Sequence, residues 1–127
     1  MRLFFIIALM LSNIVFAKAD DQLGYGRLVG SFSGSVRGQT SGETVFYTDQ
    51  SGVLQGIYFI HDGAYTKMGY LKKLTLCCGG VLTGEWEDNG QVGDVVFYFQ
   101  NPEFTEFEGR WGTDHSIENG GAWLGKK

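Results

Sequence analysis

Two cysteines, two histidines and a set of carboxylates are the side chains to weigh first for chemistry in this 127-residue chain. The cysteines, Cys77 and Cys78, are neighbours in the run LTLCCGG. A metal centre, a redox switch, a disulfide or simple apolar packing would each use such a pair differently. Two thiolates alone make a poor structural zinc site, which takes four ligands. Adjacent Cα atoms stand ~3.8 Å apart across a trans peptide, below the usual Cα separation of a disulfide. On a strand the two side chains point to opposite faces. By that alternation Cys78 joins Leu74 and Leu76 as buried filler, while Cys77 is the more accessible thiol beside a turn. A vicinal disulfide needs a distorted turn, which Gly79-Gly80 permits, and a bond between subunits through Cys77 is the other oxidised form.

His61 lies in IHDG, where a hairpin turn accounts for it, and His115 lies in the loop TDHS. Together with Asp114 they would suit zinc only if folding joined two separate loops. The expectation is no metal and no cofactor. A Cys-His nucleophilic pair would need the same unproven proximity. The carboxylates gather in EWED (Glu85, Glu87, Asp88) and PEFTEFEG (Glu103, Glu106, Glu108). Paired carboxylates hydrolyse glycosides when held across a cleft. Here Glu85, Glu87, Glu106 and Glu108 alternate with apolar residues, the pattern of a solvated sheet face, with Lys72 or Arg110 to offset their charge. The stretch GYGRLVGSFSG has glycines but no lysine-serine or helix after them to cradle a phosphate. The chain does not read as an enzyme.

The elements that carry these residues are short strands. The chain holds 20 glycines and one proline, a composition unfavourable to helices. LVGSF at Leu28, LQGIY at Leu54, LTGEW at Leu82 and FEGRW at Phe107 repeat one pattern: apolar, any, Gly, any, aromatic. Such self-similarity is a strong organisational signal. Since i, i+2 and i+4 share a strand face, each copy lines one side with an apolar residue, a glycine and a ring. The glycine leaves room for a neighbouring side chain. Second strands follow at 43–48, 68–77, 92–99 and 120–125, set off by DQSG, HDG, EDNG and ENGG, turn sequences that supply positive φ. The fold predicted is all-β: an antiparallel meander of about eight short strands in four hairpin units, as a closed or strongly curled barrel. Eight strands enclose just enough room for side chains or one small ligand.

Compartment follows from the first residues. Arg2, an apolar run from Leu3 to Phe16 and Ala17-Lys18-Ala19 have the form of a secretory signal peptide cut after Ala19. The run is interrupted by Ser12-Asn13 and falls short of the ~20 residues that span a bilayer. Residues 1–19 are therefore expected to be a signal, and residues 20–127 a single exported domain, periplasmic or extracellular, without stable membrane insertion. Loss of Arg2 and Lys18 leaves eight basic residues against fourteen acidic ones, so the formal charge of -4 becomes -6. That balance argues against nucleic-acid binding, whose affinity comes from cations on phosphates.

The window LTGEWEDNGQVGDVVFYFQNPEFTEFEGRW, residues 82–111, resembles MORN repeats. Gly84, Trp86, Gly90 and Gly93 fit the pattern, Phe97 and Phe99 follow, and Gly109 and Trp111 begin another copy. The resemblance implies a rigid scaffold or partner-binding sheet rather than catalysis. The copies here run 25 to 28 residues apart, longer than that family's unit.

Tyr58, Trp86, Trp111 and Trp123 are the candidate ligand-binding residues, either clustered in the core or lining a groove. Phe59, Phe97 and Phe99 fall on alternating faces, and a sheet apolar on both faces must meet a ligand, an oligomer neighbour or a partner. The expectation is a non-enzymatic module binding a protein or envelope component through an aromatic and acidic surface, with homo-oligomers allowed. The alternative is a small barrel holding an apolar or glycan ligand on its tryptophans.

Overall fold

A computed structural model describes residues 25–127. The signal-peptide expectation for residues 1–19 lies outside the described residues. One helical turn, α1 (Tyr25–Leu28), precedes eight strands: β1 (Gly30–Val36), β2 (Gln39–Thr48), β3 (Leu54–Asp62), β4 (Tyr65–Cys77), β5 (Val81–Asp88), β6 (Gln91–Phe99), β7 (Glu106–Thr113) and β8 (Gly121–Lys126). Each strand pairs antiparallel with the next, and β8 returns to β1, so the meander closes into an eight-stranded barrel.

The repeated pattern explains which way each strand faces. Leu54, Gly56 and Tyr58 point inward on β3, and Leu82, Gly84 and Trp86 do so on β5. At Gly56 a Cβ would stand 2.9 Å from Leu71, and at Gly84 it would stand 2.6 Å from Leu74. Two other glycines matter more for the interior. A Cβ on Gly69 would collide with the Tyr58 ring, and one on Gly93 with the Trp86 indole. Those missing side chains are what let two large rings lie inside so narrow a barrel.

Tight turns close the hairpins. Arg37-Gly38 and Asn89-Gly90 have positive φ at both residues (49° and 80°, 51° and 77°), the pairing that matches strand twist. Between β4 and β5 a bulge sets Lys73 and Leu74 where one residue would stand, with Lys73 at φ 55°. It resets the alternation so that Leu71 and Leu74 both face inward. The end of β4 corrects the expectation for Cys78. β4 ends at Cys77, Cys78 enters the turn, and both thiols are exposed. The inward row stops before Cys78 is reached.

Candidate functional site

The barrel has two chemically different ends. At one, reached by the β2–β3, β4–β5 and β6–β7 connections, Phe32, Phe46, Phe97, Phe99 and Phe107 pack edge-to-face, with ring centroids 4.8 to 6.3 Å apart. Leu28 of α1 is buried against this cluster. Lys127 reaches back to donate to the carbonyls of Arg27 and Val29 at 2.6 and 3.3 Å, and its ammonium lies 5.1 Å from the Phe32 ring centroid.

Polar groups enter at the other end. Arg37, in the β1–β2 turn, donates from Nη1 to Asp88 Oδ2 at 2.8 Å, and the Tyr58 hydroxyl donates to the same oxygen at 2.5 Å. Asp88 is buried, and only 13% of the Arg37 side chain is exposed. The guanidinium carbon stands 4.3 Å from the Trp86 ring centroid and 5.2 Å from that of Trp111, within cation–π range. Burial, and then the Asp88 carboxylate beside it, push the Tyr58 hydroxyl far above the ordinary tyrosine range. Trp86 Nε1 donates to the Gly112 carbonyl at 2.9 Å, and Trp123 Nε1 donates to Thr44 Oγ1 at 2.9 Å. Buried polar groups need such partners, and these bonds tie non-adjacent strands across the barrel.

All four candidate aromatics therefore lie on the inward face. Tyr58 and Trp123 are 0% exposed and Trp86 is 1% exposed. Trp111 is half-buried and packs edge-to-face on Trp86. Tyr58 and Trp123 stack edge-to-face at 5.1 Å. The four are brought together as core around the buried ion pair. Arg37 and Asp88 were missed by sequence reasoning, although Asp88 follows the inward alternation of Leu82, Gly84 and Trp86.

The histidines sit on the rim and outside. His61 lies 3.6 Å from Glu43 and 3.3 Å from Thr66 Oγ1, while His115 lies 3.7 Å from Asp94. Among the described residues no group of three or more His, Cys, Asp or Glu is placed to hold a metal ion. The carboxylates Glu85 and Glu87 face outward to Lys73 and Lys72 across the β4–β5 ladder.

A second surface is mostly apolar. On the outer face of β2, β3 and β4, Val45, Ile57 and Tyr70 stand in one cross-strand row, and Glu43, Phe59 and Met68 in the next. Tyr70 is 49% and Met68 45% exposed, and Tyr65 at the hairpin tip is 77% exposed. Tyr47 extends the row along β2. The outer faces of β7 and β8 carry Glu106, Glu108, Arg110 and Lys126, with exposed Leu124 and Tyr98 on either side of Glu108. Comparison of the chain with protein-family models, with curated proteins and with solved structures found no match in any of the three.

Proposed function

We propose that this protein is an exported, non-enzymatic binding module that engages a protein or envelope component through the outer face of β2–β4. The single observation carrying this reading is the apolar, aromatic strip of Val45, Ile57, Phe59, Met68 and Tyr70 on a barrel whose interior is occupied by its own rings. A soluble sheet normally turns polar residues outward; an outward apolar strip with Met68 and Tyr70 exposed is what recognition surfaces use. Glu43 and Glu87 border the strip and supply acidic contacts at its rim. Polarity supports an aqueous setting: rings line the interior and charges stud the exterior, the inverse of a lipid-embedded barrel.

A photo-crosslinking aromatic in place of Tyr70 should capture a protein or envelope component in the producing cell. The same probe in place of Glu108, on the opposite outer face, should capture none. Equal labelling from both positions would remove the case for this surface.

One observation favours the second reading, a small apolar or glycan ligand met by the tryptophans. Trp111 Nε1 and Arg37 Nε, at the same end of the barrel, are buried N–H donors with no hydrogen-bond partner among the described residues. A ligand bearing acceptor oxygens would reach Trp111 before the other rings. Saturable quenching of tryptophan fluorescence by a soluble oligosaccharide, abolished in Trp111→Phe, is the outcome that reading requires.

A further inference from the structure

The exposed Cys77-Cys78 pair is used neither by the barrel core nor by the proposed binding face. Both thiols are open to solvent at the phenylalanine end. They stand where β4 gives way to a turn whose next two residues, Gly79 and Gly80, take φ of 73° and 78°. Backbone of this kind tolerates rearrangement without side-chain clashes. A Cβ on Gly79 would meet nothing within 4 Å, so the turn has space on its outer side. Past it lies a groove of about 450 Å³ formed by Gly79, Gly80, Phe99, Asn101 and Phe104. The Phe99 N–H donates to the Gly80 carbonyl at 2.9 Å and anchors the turn's far side.

We infer that the β4–β5 turn is a thiol–disulfide exchange site in which Cys77 attacks a low-molecular-weight disulfide and Cys78 resolves the adduct. The two cysteines are not equivalent. Cys77 closes β4 and Cys78 stands in the turn, and the adjacent Cys78 side chain and backbone lower the Cys77 pKa. The Cys78 thiol, beside Cys77, is held higher. An accessible thiol favouring thiolate beside a resolving cysteine is the arrangement of redox-responsive sites.

The chemistry balances in two exchanges. Cys77 thiolate attacks one sulfur of the external disulfide; a mixed disulfide forms and one small thiolate leaves. Cys78 thiolate then attacks the Cys77 sulfur; the Cys77–Cys78 bond forms and the second small thiolate leaves. Two protons go to solvent or to the departing thiolates. The protein dithiol is oxidised by two electrons and the external disulfide is reduced by two. Because adjacent Cα atoms are closer than a relaxed disulfide prefers, the product is strained and returns readily to dithiol when small thiol is in excess.

Oxidised glutathione is the test reagent, applied to the reduced protein at about pH 7 and followed by intact mass. The wild type should lose two hydrogens and retain no adduct, and dithiothreitol should reverse the change. Cys78→Ser keeps a hydroxyl donor beside Cys77 and should accumulate one glutathione adduct, on Cys77. Cys77→Ser should react roughly tenfold more slowly. The adduct rate of Cys78→Ser should reach half its maximum below the pH of about 8.5 expected of a free thiol. A stable adduct on the wild type, a disulfide-linked dimer as the main product, or equal rates in the two serine variants would overturn the inference. Both side chains are exposed, so unchanged circular dichroism of the variants checks that the comparison is between folded proteins.

Discussion

The two ends of the barrel solve the same packing problem with different chemistry. The phenylalanine end closes with rings, one helical turn and a lysine laid over Phe32. The tryptophan end closes with an ion pair between two indoles, and each of Tyr58, Trp86 and Trp123 makes a directional hydrogen bond. Apolar closure gains stability from buried area and loses it in proportion to what is removed. A buried polar network is all-or-nothing: satisfied it specifies one arrangement, and broken it leaves orphaned groups in a low dielectric. The first end should therefore be robust to pH and sensitive to volume, and the second the reverse.

Volume loss at the apolar end should give the largest effect. Phe46→Ala is expected to cost about 3–5 kcal/mol, read as a lowered urea midpoint with the same cost at pH 6 and pH 9. At the polar end, Asp88→Asn keeps the shape but strips the charge from beneath Arg37 and should cost about 2–3 kcal/mol. Replacing the whole network together, with Arg37→Met, Tyr58→Phe and Asp88→Leu, should recover most of that loss, since a buried ion pair is often no better than well-packed apolar groups. If the triple variant is worse than Asp88→Asn, the contrast between the ends fails.

Tyr58 sets a pH limit on the polar end alone. Its hydroxyl pKa is raised in the folded protein, so the stabilisation is complete below the ordinary tyrosine value and declines above it. Above about pH 10 the unfolded chain ionises this group while the fold keeps it neutral, so stability should fall by up to about 1.4 kcal/mol per pH unit. Tyr58→Phe should flatten that alkaline slope in a denaturant series from pH 8 to 11. The smallest effect belongs to Lys127→Met, which removes the ammonium from Phe32 and from the carbonyls of Arg27 and Val29. A loss of roughly 0.5–1 kcal/mol is expected, measured as a small shift in the thermal midpoint.

Strand count and meander order were readable because the motif of apolar residue, glycine and ring recurs with the strand period, whereas closure, as against a strongly curled sheet, came from the β8–β1 pairing. The alternation in IYFI and VFYF separated inward Tyr58, Phe97 and Phe99 from outward Ile57 and Phe59. Strand limits were less readable. β4 begins at Tyr65 rather than 68, and β2 at Gln39 rather than 43, because these extensions leave no alternating apolar pattern to read. The break in alternation at Leu71-Lys72-Lys73-Leu74 marks the bulge; the alternation counted on from Leu74 and Leu76 put Cys78 on the buried face because it carried the strand one residue past its end at Cys77. The Arg37–Asp88 pair spans 51 positions; only closure of the barrel brings a turn between β1 and β2 against the end of β5.

Closure itself has a consequence for how the chain is made. Seven of the eight ladders join consecutive strands, each able to form as its hairpin emerges. The eighth joins β1 to β8, with Ser33 opposite Lys126 as its registered pair. At Gly34 the β8 backbone comes so near that an added Cβ would stand 2.5 Å from the Leu124 carbonyl. During synthesis β1 must wait with an unpaired edge until β8 has been added. Long-range pairing of this kind forms late, and open strand edges are where chains stick to one another. The seam is thus the step at which productive folding and aggregation compete, and loss of β8 would leave two such edges in place of none.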